Sequence, residues 1–175
     1  LHSNNLANRV PNAQLACISD VYEPAAKAQA EKLGIAYTTD YHDILNDPAI
    51  DAVFICSSTD THSPISIEAA KAGKHIFCEK PIDHDLDKIK AVLEEVKKAG
   101  VKYQVGFNRR FDRNFKHVHD VVKNGGIGDV QIVKVTSRDP EAPPISYVKV
   151  SGGIFVDMTI HDFDMVRYLS GSEVE

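Results

Sequence analysis

The sequence predicts an α/β fold in which a parallel sheet is covered by helices on both faces. Short apolar runs alternate with helical patterns through residues 1–110, and a glycine follows each helical pattern, at Gly34, Gly73 and Gly100. Strand–helix–strand units of this kind form parallel strands joined by crossover helices. Ligands of such sheets bind outside the carboxyl ends of the strands, so the candidate site residues should follow the strands.

Each element of this part follows from a local pattern. Four apolar runs predict buried strands: Ala13–Ser19, Ala52–Ser57, His75–Cys78 and Lys102–Gly106. Three patterns ending at a glycine predict helices: Pro24–Leu33, His62–Ala72 and Asp85–Ala99. The spacing in the last helix predicts inward positions for Leu86, Ile89, Val92, Leu93 and Val96.

The pattern changes after Phe111, which predicts the start of an α+β second domain. Arg113–Asn124 is helical, Val130–Ser137 (VQIVKVTS) is a longer β-run, and a proline-rich loop follows. A further helix carries Asp157 and His161. We therefore expect a partial dinucleotide-binding domain over residues 1–110 and the beginning of a substrate-binding and oligomerisation domain over residues 111–175.

Composition indicates a soluble cytoplasmic protein. Hydrophobic residues make up 43% and charged residues 26% of the chain, and the net charge of −5 argues against nucleic acid as a partner. No apolar run reaches the roughly 20 residues that span a bilayer. Cys17, Cys56 and Cys78 are widely spaced and show no zinc or redox pattern, which is typical of reduced cysteines.

Asp157 and His161 are four residues apart in Gly152–Asp162 (GGIFVDMTIHD), on what we expect to be one mostly buried helix. That spacing stacks both side chains on one face, where a carboxylate could orient an imidazole as a general base. Taken alone, the pair is more often structural. It also suits zinc, but His62, His75 and His84 fall on separate elements and supply no evident third ligand.

Other polar residues follow the predicted strands. Asp20 could accept hydrogen bonds from an adenosine ribose, which would favour NAD over NADP, or could cap a turn. The loop at residues 57–62 could contact a cofactor or cap the next helix. Lys80 at a strand end, followed by Pro81, could direct an ammonium at a reacting oxygen, although a lone lysine is usually solvated.

Four segments together resemble the Gfo/Idh/MocA oxidoreductases, and the resemblance covers essentially all 175 residues. The segments are Ser58–His62 (STDTH), Phe77–Pro81 (FCEKP), Gly106–Asp112 (GFNRRFD) and Gly152–Met165 (GGIFVDMTIHDFDM). The Glu-Lys-Pro triplet marks the family. The resemblance implies a Rossmann-type domain, NAD as cofactor, a small polyol such as inositol as substrate, and a homo-oligomer at full length.

The same resemblance assigns roles by position. Lys80, Asp157 and His161 match the catalytic residues, with His161 as the base, Asp157 orienting it and Lys80 bonding the reacting oxygen. Substrate contacts match Asn108, Arg109 and Asp139, of which Asp139 is the least secure. Cofactor contacts match, beside Asp20, the following residues: Ser57, Ser58, Thr59, His62, Glu79, Lys80 and Gln104.

The first strand of the family's fold and its Gly-x-Gly-x-x-Gly turn do not appear in this sequence. Leu1–Arg9 matches the remainder of the helix that follows that turn, so the strands Ala13–Ser19 and Ala52–Ser57 are expected to lack a central neighbour. We expect the chain to be a fragment that by itself neither binds NAD tightly nor turns over. Two alternatives remain open: another sugar or polyol as substrate, and a non-catalytic dinucleotide-binding regulator.

Overall fold

A computed structural model of the chain describes residues 1–174. Its strands are β1 (Cys17–Ser19), β2 (Ala36–Thr38), β3 (Ala52–Ile55), β4 (His75–Cys78) and β5 (Tyr103–Val105). Its α-helices are α1 (His2–Asn8), α2 (Glu23–Leu33), α3 (Tyr41–Asn46), α4 (Thr59–Lys71), α5 (Leu86–Ala99), α6 (Arg113–Lys123), α7 (Ile145–Val148), α8 (Ile154–Asp157) and α9 (Ile160–Ser170). A 3-10 helix spans Asn108–Phe111.

All of the strand pairs in the described residues are parallel, which confirms the α/β prediction. β1 pairs with β2, and β3, β4 and β5 form a second sheet in that order. No strand within residues 1–174 pairs with the free edges of β1 and β3, and this is the gap that the sequence analysis expects. The β1 ladder is shorter than predicted, because residues 13–16 precede it without pairing.

Helix α1 connects the two sheets. The His2 ring lies against Phe77, with ring centroids 5.2 Å apart, so the start of the helix packs on one face of the larger sheet. On the other side, the Gln29 amide of α2 donates to Ser3 Oγ at 3.2 Å and to Asn4 Oδ1 at 3.3 Å. These contacts hold α2, which packs on β1 and β2, beside the larger sheet.

The sequence analysis misses β2 and α3. A three-residue strand is too short to show a recognisable period, so Ala36–Thr38 carries no clear signal. The helix does have one, because Asp40 caps it by accepting a hydrogen bond from His42 N at 2.9 Å. An aspartate before a short apolar pattern could therefore have located α3.

The core lies between the larger sheet and α4, where small residues allow the helix to approach the strands closely. Its buried members are Leu45, Ile55, Ala69, Ala70, Ile76 and Cys78. The inward pattern predicted for α5 is only partly right. Val92 is fully buried and Val96 packs on the core, but Leu86 is 71% and Leu93 49% exposed. The reason is that α5 packs mainly on α4, and α4 covers a narrower stripe of the α5 surface than the sequence predicts.

The strand predicted at Val130–Ser137 is wrong, since none of these residues lies in a strand. From Val133 onwards the side chains do alternate, with Val133, Val135 and Ser137 half-buried and the residues between them exposed. A strand also needs a neighbour to accept and donate its ladder hydrogen bonds. No strand within residues 1–174 lies beside this segment.

No helix within residues 1–174 is long and apolar enough to cross a membrane.

Candidate active site

Lys80 lies two residues after the end of β4, at the carboxyl edge of the larger sheet, as the parallel topology predicts. Its ammonium donates two hydrogen bonds to a single residue, to Asp157 O at 2.7 Å and to Asp157 Oδ1 at 2.9 Å. The side chains of both residues are largely buried, at 19% and 22% exposure. These contacts join the sheet to the C-terminal part of the chain across 77 positions of sequence.

An interruption between helices α8 and α9 makes one of the Lys80–Asp157 contacts possible. The single helix predicted through Asp157 and His161 is wrong, because α8 ends at Asp157 and α9 begins at Ile160. His161 N donates to Met158 O at 3.3 Å instead of to Asp157 O. The Asp157 carbonyl is therefore released from the helical ladder and accepts the Lys80 ammonium.

The Asp157 carboxylate is held by two donors. Tyr147, a residue that the sequence analysis misses, donates its hydroxyl to Asp157 Oδ1 at 2.8 Å, beside the bond from Lys80. Burial raises the pKa of the Asp157 carboxyl, but the hydrogen bonds from Lys80 and Tyr147 outweigh it and lower the pKa. Asp157 is thus ionised at neutral pH, and a cation partly compensates its charge.

His161 is half-buried at the start of α9 and stands edge-on to Phe107, with ring centroids 6.4 Å apart. Its Nδ1 is buried and has no hydrogen-bond partner within residues 1–174. Burial lowers the pKa of His161, and the positive charges of Lys80 and Arg109 lower it further. The imidazole is therefore neutral at pH 7, which is the form that can accept a proton.

The predicted orientation of His161 by Asp157 is absent from this structure. No hydrogen bond links the two side chains in the described part of the chain, because the carboxylate faces Lys80 and Tyr147 instead. The apolar helix expected to bury the pair is also more open than predicted, with Phe155 69% and Phe163 53% exposed. The break between α8 and α9 explains both differences, since i,i+4 stacking requires one continuous helix.

Arginine–aspartate pairs position α9 against the 3-10 helix. Arg109 pairs with Asp162 Oδ1, which also accepts a hydrogen bond from Ser137 Oγ at 2.6 Å. Arg110 forms a forked contact with both oxygens of Asp164, at 2.6 to 3.1 Å, and Asp164 is 4% exposed. Sequence analysis misses these aspartates, although the alternation of acidic residues around His161 was a visible signal.

The three predicted substrate residues are not equally placed. Arg109 lies close enough to His161 to lower its pKa, but its guanidinium is already paired with Asp162. Asn108 and Asp139 are exposed. In the described residues, no hydrogen bond connects either of them to Lys80, Asp157 or His161.

Several residues predicted to contact the cofactor are available for that role. Asp20 is exposed beyond β1, where one carboxylate oxygen accepts from Tyr22 N at 2.9 Å, so the turn role is real and leaves the second oxygen. Ser58 and Thr59 begin α4, whose N-terminus has no side-chain cap, and Ser57 Oγ lies 2.6 Å from Thr61 Oγ1. This donor and acceptor set fits the ribose and phosphate groups of NAD.

Other predicted cofactor contacts have partners inside the protein. Glu79 Oε1 lies 2.6 Å from His2 Nε2. Both ring nitrogens of His62 face backbone carbonyls, and this residue is 2% exposed. Gln104 is exposed on β5, in register with Phe77. A side chain at Gly106 would place its Cβ 2.7 Å from Glu79 Oε2, so a larger residue there would displace the Glu79 carboxylate.

A zinc site at Asp157 and His161 would need further ligands. Within residues 1–174 no group of three or more His, Cys, Asp and Glu side chains is arranged to hold a metal ion. The Asp157 carboxylate instead carries a lysine ammonium at 2.9 Å. A neutral imidazole beside a lysine ammonium is a set of groups that can take part in proton transfer.

Two family models together match almost the whole chain. The model of the Gfo/Idh/MocA oxidoreductase family, NAD-binding Rossmann fold, matches residues 1–107, and that of the Gfo/Idh/MocA C-terminal domain matches residues 115–175. The chain is 52% identical to myo-inositol 2-dehydrogenase of Thermotoga maritima over 177 aligned positions, which cover 100% of this chain and 52% of that protein.

Two solved structures are also similar. The crystal structure of a probable dehydrogenase from Thermotoga maritima superposes with a TM-score of 0.96 at 52% identity, over 99% of this chain and 52% of that one. The scyllo-inositol dehydrogenase from Lactobacillus casei, solved with bound NAD(H) and scyllo-inositol, has a TM-score of 0.90 at 34% identity, over 99% and 53%. The chain spans about half the length of the relatives it matches. It belongs to the Gfo/Idh/MocA family of NAD-binding oxidoreductases.

Proposed function

We propose that the full-length gene product oxidises a secondary hydroxyl of a cyclic polyol, myo-inositol to the corresponding inosose, with NAD as hydride acceptor. The observation that carries this proposal is the convergence of a lysine ammonium and a neutral imidazole at one edge of the sheet. The inositol dehydrogenases among the similar proteins support the choice of substrate class.

In this proposal His161 takes the proton of the reacting hydroxyl. Its lowered pKa keeps it unprotonated at neutral pH, and the buried Nδ1 without a partner marks a polar group that folding alone leaves unsatisfied. The ionised Asp157 carboxylate is near enough to His161 to interact with it by charge while it holds Lys80. Asp157 would then stabilise the imidazolium that forms.

Lys80 stabilises negative charge on the reacting oxygen. An ammonium has three N–H groups, and two of them bond to Asp157. The third is left for the substrate oxygen, where it can bond to a developing alkoxide in a site with little water. Asp157 holds the ammonium in that direction, and it also provides the countercharge that Lys80 needs when partly buried.

When bound, NAD supplies the acceptor for the hydride that leaves the substrate carbon. Of this chain's residues, Asp20 would accept hydrogen bonds from the adenosine ribose, and the loop from Ser57 to Thr59 would donate to the phosphate or ribose oxygens. The carboxylate of Asp20 disfavours a 2′-phosphate by charge repulsion, which supports NAD over NADP. Asn108, Arg109 and Asp139 are proposed to contact the polyol.

The test is a panel of substrates, with NADH formation followed by absorbance. The full-length gene product is expected to reduce NAD with myo-inositol or another inositol isomer, and to use NADP much more poorly. The scyllo isomer belongs in the panel because a similar protein was crystallised with it. Turnover of an unrelated sugar with no activity on any inositol would contradict the proposed substrate class.

We also propose where the chain divides into domains, where the protein is located, that it assembles into a homo-oligomer, and that the 175-residue chain alone binds NAD weakly. Division near residue 110 is supported by the separate family matches to residues 1–107 and 115–175. A cytoplasmic location is supported by three cysteines that are free in the described structure. Assembly into a homo-oligomer, and weak NAD binding by the 175-residue chain alone, are proposed from the family resemblance and from the missing glycine-rich turn.

A further inference from the structure

His62 lies beneath the site rather than in it. It occupies the first turn of α4 and is 2% exposed. Its Nδ1 lies 2.7 Å from the carbonyl oxygen of Pro81, and its Nε2 lies 3.1 Å from the carbonyl oxygen of Ser57. The ring therefore spans two turns, the one that follows β3 and the one that follows Lys80.

The two contacts determine the charge of the ring. A carbonyl oxygen can only accept a hydrogen bond, and a neutral imidazole has only one N–H to donate. With one nitrogen deprotonated, a ring lone pair would face a carbonyl lone pair in a buried space, which is unfavourable. Only the imidazolium, which carries a hydrogen on each nitrogen, satisfies both carbonyls.

We propose that His62 is a buried imidazolium cation that ties the turn after β3 to the turn carrying Lys80, and that it is a positioning residue for Lys80. The charge state follows from the contacts of the ring alone. The effect on catalysis rests on the proposed function, because it concerns the direction of the Lys80 ammonium.

The neighbouring residue strengthens the connection. Ser63 donates its hydroxyl to Asp83 Oδ2, and Asp83, which is 6% exposed, also accepts from Asp85 N at 3.0 Å. His62 and Ser63, two consecutive residues of α4, thus bond to Pro81 and Asp83. Since Asp157 holds the Lys80 ammonium from the other side, the lysine is fixed at both ends of its side chain.

The surroundings of the ring favour the charged form. Burial lowers the pKa of His62, but the Cys78 side chain, the Pro81 carbonyl and the Ser57 carbonyl raise it to about 9. Cys78 on β4 is the titratable side chain that acts on the ring, and the Asp83 carboxylate lies two residues beyond Pro81. The two carbonyl oxygens therefore take the place of a direct carboxylate partner.

Nitrogen-15 NMR of histidine-labelled protein tests the charge state directly. At pH 7.5 both ring nitrogens of His62 should show the shifts and attached protons of an imidazolium. His75 is the matched control in the same spectrum, because its Nδ1 accepts from Lys102 N at 3.1 Å and so must be unprotonated. An unprotonated nitrogen on His62 at this pH would overturn the proposal, whether or not the protein turns over a polyol.

Kinetics of the full-length gene product test the positioning role. In His62→Gln the amide carries both hydrogens on one nitrogen, so it reaches only one of the two carbonyls. We expect kcat to fall about tenfold, the effect of roughly 1.4 kcal/mol on a barrier, with a smaller change in the KM of the polyol. The matched control, His75→Gln, should retain wild-type kcat.

Two results keep this test decisive. A folded His62→Gln protein with kcat within about twofold of wild type, a difference well below 1 kcal/mol, would overturn the positioning role. Where His62→Gln does not fold, Ser63→Ala, which removes only the neighbouring bond to Asp83, takes its place, and the same lack of effect on kcat would count against the role. Failure of the wild-type enzyme to oxidise any polyol contradicts the proposed function and leaves the NMR result on His62 standing.

Discussion

Asp157 is the residue on which most contacts of the site converge. Its carbonyl and one carboxylate oxygen bind Lys80, and the same carboxylate oxygen accepts the Tyr147 hydroxyl. A carboxylate oxygen with two donors is held more firmly than one with a single donor. The direction of the Lys80 ammonium therefore depends on Tyr147, a residue that touches Lys80 only through Asp157.

Replacing Tyr147 should weaken the site without removing its charges. In Tyr147→Phe the hydrogen bond to a charged acceptor is lost. Because Tyr147 is 45% exposed, the bond is worth about 1.5 kcal/mol, the low end for a charged acceptor, and we expect kcat/KM to fall roughly tenfold. Tyr37→Phe is the matched control, because Tyr37 donates to Glu23 at 3.3 Å on the other sheet. Steady-state assays in which both variants behave alike would show that Tyr147 has no role in positioning.

The activity of the full-length gene product should depend on pH through His161. The folded protein lowers the pKa of this imidazole from its ordinary value of 6.5, so the base stays unprotonated and active as the pH falls through 6.5. The acid limb of the kcat/KM profile should therefore lie below pH 6.5. In Arg109→Met the limb should move to higher pH, because a charge that lowers the pKa is removed. A wild-type limb at or above pH 6.5 would argue against His161 as the base.

For single residues the sequence predicts where a side chain lies better than what it touches. Lys80, Asp157 and His161 do lie at one edge of the sheet, because strand order alone places the end of β4 there. The partners of Asp157 were not predictable, since Tyr147 lies in α7, a four-residue helix after three prolines that is too short to show a period. His62 was assigned to the cofactor, and only coordinates show that both of its nitrogens face carbonyls.

At the scale of elements, the end of α8 is the feature with the largest consequence. The sequence around Asp157 has the apolar spacing of one helix, and nothing in it marks the stop between Met158 and Thr159. The structure places a turn there, which frees the Asp157 carbonyl for Lys80. Helix periodicity is a reliable signal for type, and a poor one for interruptions that tertiary contacts stabilise.

The attachment of α9 to the 3-10 helix should depend most on the Arg110–Asp164 ion pair, whose carboxylate is buried. Arg110→Ala leaves the nearly inaccessible Asp164 carboxylate without its cation, and loss of one partner of such a pair costs about 3 kcal/mol of unfolding free energy. Arg167→Ala is the matched control on α9, because its pair with Glu173 is exposed to solvent and contributes little to stability. Urea denaturation measures both, and equal midpoints for the two variants would contradict the distinction.

In the molecule as a whole, residues 1–174 form two parallel sheets joined by α1 rather than one continuous sheet. Periodicity predicts the α/β class, and the family resemblance predicts where neighbouring strands are unpaired. The strand expected at Val130–Ser137 shows the limit of that reasoning. Alternation describes which face is buried, but the ladder depends on a partner that a local pattern does not contain.

NAD affinity of the 175-residue chain tests the interpretation of that architecture. The chain contains Asp20 and the Ser57–Thr59 loop but no Gly-x-Gly-x-x-Gly turn. Backbone amides of such a turn provide much of the contact with the pyrophosphate. We expect calorimetry to detect much weaker NAD binding by this chain than by the full-length gene product. Micromolar affinity in the chain alone would contradict this expectation.

The role of Lys80 in catalysis is tested by turnover of a Lys80→Met variant of the full-length gene product. Methionine keeps much of the side-chain length and removes the ammonium that we assign to the reacting oxygen. We predict that kcat with the best inositol isomer falls by about a thousandfold, as expected for loss of an electrostatic stabiliser of the transition state, while NAD binding measured by calorimetry is retained. A variant that keeps kcat within a few-fold of wild type would show that the Lys80 ammonium does not stabilise the reacting oxygen.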